Sequence, residues 1–249
     1  MAIERNESIR SIQSRLIAAG LLTDKSGADG IWGPASEAAF QKLLGNAGTP
    51  VDKGYDIAWS AKVSPEFVTK VKKIAQMLQM PSTGPDDLMS CMAWESGESF
   101  APDKRNGAGS GATGLIQFMP ATALPYFNSP ADIAKMDAAT KKAKGIEACN
   151  RLAALTAEQQ LDFVYKYFEP YAGKLKNLGD LYMAILWPKG VGKADDYVLW
   201  NSATAPTTYR QNIGLDVNKD GNITRGECVF KVREKYNKGL QLTNRRPLV

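Results

Sequence analysis

The chain contains no histidine among its 249 residues. Without an imidazole, neither a Ser-His-Asp triad nor a Cys-His nucleophile pair can form, and the usual nitrogen ligands of catalytic zinc are missing. These absences exclude most hydrolase chemistries. Carboxylate chemistry remains, in which an aspartate or a glutamate serves as general acid and base.

Cysteines and long apolar runs are also scarce. Cys91, Cys149 and Cys228 are an odd number of thiols without C-x-x-C spacing, which predicts free, buried thiols rather than a disulfide framework or a zinc knuckle. The longest apolar runs, such as residues 181–187, fall well short of the ~18 residues that span a bilayer, so we expect no membrane insertion. The chain begins with polar and charged residues, which predicts that it has no secretory signal peptide.

The charge of the chain limits the class of partner. Its formal net charge of +5 favours an acidic neighbourhood, of which a bacterial envelope and nucleic acid are both examples. The lysines are spread along the chain, and no basic stripe is interleaved with aromatic residues. We therefore expect no nucleic-acid partner.

The amino-terminal part predicts a small helical unit. Apolar side chains at helical spacing over residues 9–17 predict an amphipathic helix that ends at a glycine. Residues 29–34, with the sequence DGIWGP, predict a turn, and Ser36 is placed to cap a second helix. The stretch that follows is rich in glycine, proline and polar residues and predicts a linker over residues 46–60.

The next helical region carries the principal candidate residue. Pro85 suits the first position of a helix, and residues 86–96 predict a helix on which Leu88, Met92 and Glu95 share one stripe. Burial of a carboxylate disfavours its anion and raises its pKa into the range of a general acid. A buried glutamate is also compatible with a structural hydrogen bond or salt bridge, and the spacing alone does not choose.

The same apolar periodicity predicts the other helices. They cover residues 65–80, 130–144, 157–175 and 178–187. Thr156 and Gln159 have the spacing of a capping box at the start of the third of these helices.

Between residues 105 and 113 lie three closely spaced glycines, Gly107, Gly109 and Gly111. The loop lacks the G-K-[ST] end of a P-loop, and no parallel-sheet pattern follows that would indicate a dinucleotide site. The glycines predict instead a tight hairpin that brings the backbone and Ser110 close to a flat substrate.

Glu95-Ser96, followed by residues 110–120 with the sequence SGATGLIQFMP, resembles the signature of soluble lytic transglycosylases and their goose-type lysozyme relatives. The resemblance implies a mainly α protein with a lysozyme-like helical catalytic domain over residues 61–249, including a short β-hairpin. It implies that Glu95 is the catalytic residue. The substrate-binding residues that it implies are Ser110, Gln117, Phe118 and Met119.

In members of that family a later A-Y-N-A-G segment lines the sugar groove. This chain has the sequence AILWPKG at residues 184–190, so the asparagine is missing. Two interpretations of Tyr182 and Trp187 remain open: either they line the groove in its place, or they pack in the core.

The amino-terminal unit, residues 1–45, resembles the peptidoglycan-binding domain of cell-wall enzymes, through its D-G-x-(aromatic)-G turn and its alanine-rich second helix. This implies wall contacts by Asp29 and Trp32, with a Trp32 that merely packs in the core as the alternative. Together the two parts resemble modular bacteriophage endolysins. That resemblance implies a monomer that stays in the host cytoplasm until release and then acts on the periplasmic cell wall.

The implied reaction is cleavage of the β-1,4 bond between N-acetylmuramic acid and N-acetylglucosamine, with Glu95 as acid and then as base. A glycosidase with two carboxylates needs a partner, for which Glu98 and Asp103 are the candidates. Lytic transglycosylases use one glutamate, so water and the sugar's own 6-hydroxyl both remain possible as the attacking group.

No cofactor is expected for catalysis. The alternative function is a non-catalytic wall-binding or virion structural protein that only grips glycan.

Residues 216–227, with the sequence DVNKDGNITRGE, match the spacing of an EF-hand calcium loop. The predicted Ca²⁺ ligands are Asp216, Asn218, Asp220, Asn222 and Glu227. The segment before the loop is short for an entering helix, which favours a structural calcium clip over a calcium sensor. An Asx-rich turn without a metal is the alternative.

Overall fold

The computed structural model describes residues 7–18, 20–23, 28–30, 35, 36, 39, 54–107 and 109–248. The chain divides into two compact units. One comprises Met1–Tyr55, Lys193–Lys231 and Leu248–Val249, and the other comprises Asp56–Gly192 and Val232–Pro247. The predicted catalytic segment 61–249 thus contributes residues to both units, and its division from the linker and the amino-terminal domain stays a prediction.

Helices dominate the described residues, which confirms the prediction of a mainly α protein. In chain order they are α1 (Glu7–Ala18), α2 (Pro65–Met77), α3 (Gly84–Glu95), α4 (Pro120–Phe127), α5 (Pro130–Lys135), α6 (Ala138–Ala153), α7 (Ala157–Phe168), α8 (Leu178–Leu186), α9 (Pro206–Gln211) and α10 (Arg225–Gly239). Strands β1 (Val198–Asn201) and β2 (Asn222–Thr224) form an antiparallel pair. Among the residues that the structure describes, no helix is long and apolar enough to cross a membrane.

Helix α2 begins where the sequence predicts, because Ser64 accepts a hydrogen bond from the backbone N–H of Phe67 at 3.0 Å and Pro65 occupies the first helical position. Its predicted apolar face is buried, which confirms the helical periodicity. The next helix, α3, begins at Gly84, two residues before the predicted start, and ends at Glu95. It packs against α2 and α8.

Two predicted helices differ most from the observed ones. The helix predicted over residues 130–144 is split, since Asp137 caps a new helix by accepting a hydrogen bond from the N–H of Thr140 at 2.7 Å, while Met136 is extended. Helix α7 ends at Phe168 rather than at residue 175, because Pro170 follows in a short 3₁₀ turn. Its predicted capping box between Thr156 and Gln159 is confirmed.

The core of the second unit surrounds α3. Leu88, Met89, Cys91 and Met92 of that helix are all buried, as the predicted stripe requires. The other large side chains buried in this unit include Trp59, Phe67, Phe118, Phe168, Leu115, Leu152 and Leu161. All three cysteines are free and buried, as predicted.

Candidate active site

Glu95 is the last residue of α3, and the chain turns sharply after it. The backbone N–H of Glu98 returns to the carbonyl of Ala93 at 2.7 Å, and Gly97 takes a left-handed φ of 63°, a conformation that suits a glycine at a helix end. The Ser96 side chain is buried and accepts a hydrogen bond from the N–H of Phe100 at 3.0 Å. The turn therefore holds the Glu95 side chain at the edge of the core.

The environment of Glu95 favours its neutral form. The residue is half-buried, and burial raises the pKa of its carboxyl to about 8. Among the described residues, none donates a hydrogen bond to this carboxylate or forms an ion pair with it. The structural salt bridge that the sequence left open is thus absent from the described part of the chain, and the group is an acid at neutral pH.

Aromatic side chains surround this end of α3. The indole N–H of Trp94 donates to the Tyr182 hydroxyl at 3.1 Å, and the two rings pack edge to face. Tyr182 is buried, so of its two interpretations core packing is correct. The hydroxyl of Tyr167 donates to the carbonyl of Ala184 at 2.8 Å. Burial, and to a smaller extent nearby charges that include Glu95, raises the pKa of Tyr167, so a neutral phenol lies near the acid.

The glycine-rich segment forms the predicted hairpin. An antiparallel bridge joins Arg105 and Thr113, and the N–H of Asn106 donates to the carbonyl of Ala112 at 3.1 Å. Ser110 is exposed at this hairpin, where its hydroxyl accepts from the N–H of Ala112 at 3.3 Å. It is thus open to solvent, as a substrate contact requires.

The three other predicted substrate-binding residues have different environments. Gln117 has a left-handed φ of 53°, and its side-chain amide donates to the carbonyls of Lys104 and Gly114 at 3.2 and 3.1 Å. Phe118 is buried with its backbone paired to that of Thr113, whereas 47% of Met119 is exposed. Gln117 thus closes the turn, Phe118 belongs to the core, and the Met119 side chain faces solvent.

Phe118 supports two tyrosines that the sequence analysis did not select. Its ring packs edge to face against Tyr126 at 6.1 Å and against Tyr167 at 6.2 Å between centroids. Tyr126 is half-buried, and burial raises its pKa to about 12. Only their position in the fold brings these phenols together, because no local pattern distinguishes them from core aromatics.

Gln160 of α7 is a second residue that the sequence analysis missed. Its buried side chain accepts a hydrogen bond from the N–H of Leu115 at 2.8 Å and donates to the carbonyls of Pro102 and Leu152 at 3.0 and 2.9 Å. It therefore ties both arms of the hairpin to the helical core. A signal was present, since a glutamine stands on the same helical stripe as Val164 and Phe168.

The two candidate second carboxylates are not equivalent. Glu98 forms ion pairs with Lys235 at 2.5 Å and with Lys238 at 2.6 Å. Hydrogen bonds from these two lysines hold the pKa of Glu98 below its usual range. Asp103 is exposed, in the turn before the hairpin. Because both oxygens of Glu98 are engaged, it is not a free base.

The amino-terminal turn is organised by Gln13 of α1. The buried side-chain amide of Gln13 donates to Asp29 and to the Ser36 hydroxyl, both at 2.9 Å, and its oxygen accepts from the N–H of Gly30 at 2.8 Å. Asp29 thus helps to hold the turn. Trp32, the second predicted wall contact, lies outside the described residues, as does most of the predicted second helix.

The predicted calcium loop is closed by hydrogen bonds to its first and last acidic residues. One oxygen of Asp216 accepts from the Tyr209 hydroxyl at 2.5 Å and from the N–H of Gly221 at 3.1 Å. Glu227 accepts from the N–H groups of Val217, at 3.0 Å, and Thr224, at 2.9 Å. Backbone dipoles therefore converge on both ends of the loop.

The middle of the loop is a series of Asx turns, and a strand pair braces it. Asn218 accepts from the N–H of Asp220 at 2.9 Å, and Asp220 accepts from the N–H of Asn222 at 2.7 Å. The Asn222 side chain also accepts a hydrogen bond from Asn201 at 2.6 Å, where β2 pairs with β1. Before the loop, α9 ends at Gln211 and a short 3₁₀ turn covers Ile213–Leu215.

The oxygen donors of the loop are suited to a hard cation. Asp216 is buried, and within the described residues its other oxygen, Oδ1, has no hydrogen-bond partner, which is costly for a carboxylate unless a cation or water satisfies it. All five predicted ligands carry oxygen donors, which Ca²⁺ prefers. However, no group of three or more Asp, Glu, Cys or His side chains in the described chain is gathered closely enough to hold a metal.

A cavity of about 440 Å³ lies between α2 and α7. Its lining residues are Glu66, Thr69, Lys70, Lys73, Ile74, Met77, Asp162 and Tyr165. None of the predicted site residues belongs to this set.

Comparison with known proteins adds no family. No protein-family model matches the chain, and no curated protein matches it significantly. Support for a function therefore comes from the geometry around Glu95 and from the resemblance in sequence.

Proposed function

We propose that this protein degrades peptidoglycan by cleaving the β-1,4 bond between N-acetylmuramic acid and N-acetylglucosamine. The observation that carries the proposal is the environment of Glu95, a half-buried carboxyl with a pKa of about 8 and no ion-pair partner among the described residues. Such a group is mostly protonated at pH 7. It can donate a proton to a glycosidic oxygen and then act as a base.

The hairpin that follows the acid along the chain supports a role in holding a glycan. Ser110 and Met119 present exposed side chains, while Gln117 and the buried Gln160 fix the turn from within. A groove whose backbone is held rigidly positions a sugar with little loss of entropy on binding. Ser110, Gln117, Met119 and the backbone at Phe118 are therefore the proposed substrate-binding positions.

Glu95 acts without Glu98 as its second carboxylate in this proposal. Glu98 is paired with two lysines, which leaves Asp103 as the other candidate. The arrangement suits a lytic transglycosylase, in which the 6-hydroxyl of the muramic acid attacks, and a muramidase would use water instead. Mass spectrometry of the released fragments separates these reactions, because 1,6-anhydromuramic ends identify the first and reducing ends the second.

The decisive experiment compares the wild type with Glu95→Gln on purified peptidoglycan. We expect the variant to lose glycan cleavage and to keep wall binding, because the amide preserves the shape of the side chain and removes the proton donor. Glu147→Gln is the matched control, since Glu147 is an exposed glutamate paired with Lys144. A wild type that binds the wall and releases no fragments would refute the proposal and establish a non-catalytic wall-binding or virion structural protein.

The remaining parts of the chain fit the biology of a bacteriophage endolysin. The proposed wall-binding domain, residues 1–45, would deliver the enzyme to peptidoglycan through Asp29 and Trp32. In this proposal the monomeric protein stays in the host cytoplasm until release and then acts on the periplasmic wall. Nucleic acid and membrane insertion have no part in it. The support is the resemblance in sequence together with the turn that Gln13 holds.

A structural Ca²⁺ ion completes the proposal. Oδ1 of the buried Asp216, which has no hydrogen-bond partner among the described residues, would bind it together with the oxygen donors of Asn218, Asp220, Asn222 and Glu227. The ion would neutralise the loop carboxylates and stabilise the fold, and catalysis would need no cofactor.

A further inference from the structure

We propose that Glu98 is a positioning residue for Glu95, held in place by Lys235 and Lys238. The inference rests on the proposed function, in which Glu95 is the general acid. It assigns to Glu98 a role different from that of a second catalytic carboxylate. Glu98 sets the direction of the acid through the turn that ends α3.

The first support is the backbone of that turn. Glu98 adopts a left-handed φ of 68°, directly after Gly97 at 63°. Glycine tolerates this conformation, whereas a side chain with a Cβ is strained in it. The N–H of Glu98 nevertheless caps α3 by donating to the carbonyl of Ala93 at 2.7 Å. A strained residue three positions after the acid therefore closes the helix, and other contacts must hold it there.

The second support is the pair of lysines that supplies those contacts. Oε1 of Glu98 lies 2.5 Å from Lys235 Nζ, and Oε2 lies 2.6 Å from Lys238 Nζ. The two lysines are three residues apart on α10, so they project from one face of that helix. Each carboxylate oxygen has its own cation, which fixes the rotation of the carboxylate as well as its position.

The third support is the ring packing of Phe100, two residues after Glu98. The ring of Phe100 lies 6.2 Å from that of Trp59 and 6.1 Å from that of Phe67. The indole of Trp59 in turn donates to the carbonyl of Lys235 at 3.0 Å. The stretch of α10 that holds Glu98 thus also supports the aromatic residue behind Phe100. The turn is thus held by ion pairs at Glu98 and by ring contacts at Phe100.

This arrangement predicts a specific kinetic effect. Loss of the ion pairs lets Glu98 relax toward unstrained backbone angles, which rotates the last turn of α3. A general acid that is displaced by a fraction of an ångström donates its proton less effectively, while substrate binding elsewhere in the groove is unchanged. The effect should therefore fall on kcat rather than on KM.

The test uses three variants of the full-length protein: Glu98→Gln, Lys235→Met/Lys238→Met, and Lys235→Arg/Lys238→Arg. We expect the first two to lower kcat on purified peptidoglycan on the order of tenfold, with KM within about twofold of wild type. We expect the arginine variant to retain kcat, because guanidinium groups preserve both ion pairs. Glu147→Gln is the control for loss of an exposed glutamate that pairs with a lysine.

A second measurement does not depend on activity. Carbon-13 NMR titration of the Glu95 carboxyl should give a lower pKa in Glu98→Gln than in Glu147→Gln, because a relaxed turn admits water to the acid. The titration separates the two proposals. A wild type that cleaves no glycan refutes the proposed peptidoglycan-degrading function, and the Glu95 pKa then still shows whether Glu98 positions Glu95. If kcat and the Glu95 pKa are the same in Glu98→Gln and in the control, Glu98 does not position the acid.

Discussion

A Cβ added to Gly114 would lie 2.2 Å from Oε1 of Gln160. The backbone of Gly114 also has a φ of 81°, which L side chains rarely adopt. The glycine of the signature segment is therefore required twice, by its conformation and by the glutamine that packs against it. The same glutamine oxygen accepts the N–H of Leu115, so this close approach is what attaches the hairpin to α7.

We expect Gly114→Ala to lower the free energy of unfolding by at least about 2 kcal/mol, because the methyl group adds a clash to an unfavourable backbone conformation. Gly107→Ala is the matched control, since nothing lies within 4 Å of the added Cβ there. Urea unfolding of the two variants makes the comparison. Equal stabilities of the two variants would show that a methyl group at Gly114 does not clash with Gln160.

Gln160→Leu should destabilise the protein by about 3 kcal/mol, because it removes the hydrogen bonds that Gln160 forms with the N–H of Leu115 and with the carbonyls of Pro102 and Leu152. The control is Gln159→Leu at the neighbouring position, which removes only half of an exposed capping box and should cost about 1 kcal/mol or less. Thermal melting of both variants is the measurement. A smaller loss for Gln160→Leu than for Gln159→Leu would contradict the prediction.

Glycan cleavage should decrease as the pH rises through about 8, because the Glu95 carboxyl must be protonated to act as an acid and its pKa is raised to about 8. Initial rates on purified peptidoglycan between pH 5 and pH 10 would show this loss of activity. A rate that already fell near pH 5 would place the essential group among ordinary, exposed carboxyls.

Burial of the same carboxyl should make stability depend on pH. The folded pKa of about 8 lies above the ordinary value of 4.5, so the folded state holds a proton that the unfolded state releases. The resulting contribution to the free energy of unfolding is fully present below about pH 4.5 and is lost as the pH rises through about 8.

Melting curves at pH 5, 7 and 9 should therefore show a smaller loss of Tm for Glu95→Gln than for wild type. Part of the slope will remain in the variant, because burial also raises the pKa of Asp87 to about 8. Wild type and Glu95→Gln with the same pH dependence would mean that Glu95 is not desolvated.

Calcium should stabilise the protein if residues 216–227 bind it. A ligand present at a hundred times its Kd raises the free energy of unfolding by about 2.7 kcal/mol, and EDTA should reverse the increase in Tm. Asp216→Ala should abolish the response, while Asp162→Asn should retain it, since Asp162 pairs with Lys70 outside the loop. Melting curves of the wild type that coincide in calcium and EDTA would exclude a stabilising site.

Most of the helices could be predicted because their causes lie within a few residues of chain. The spacing of apolar residues, a proline at the first position and a capping side chain together specify α2. The capping box of α7 is local in the same way. The prediction of one helix over residues 130–144 was wrong, because the chain leaves the helix at Met136 and Asp137 caps a new one. Apolar spacing alone does not show where a side chain such as Asp137 hydrogen-bonds to the backbone and starts a new helix.

The candidate site was predicted less completely from the sequence than the helices were. The absence of histidine left carboxylate chemistry and the apolar stripe of α3 predicted burial of Glu95, but it was the resemblance to lytic transglycosylases that made Glu95 the predicted catalytic residue. Only the tertiary structure showed that Glu98 pairs with Lys235 and Lys238, and that Gln160 supports the hairpin. These partners are far apart along the chain, and no local preference encodes which distant helix face will meet a given turn. Helix periods and caps are short-range effects that the sequence determines by itself, whereas the setting of the acid arises from the packing of separate helices around it.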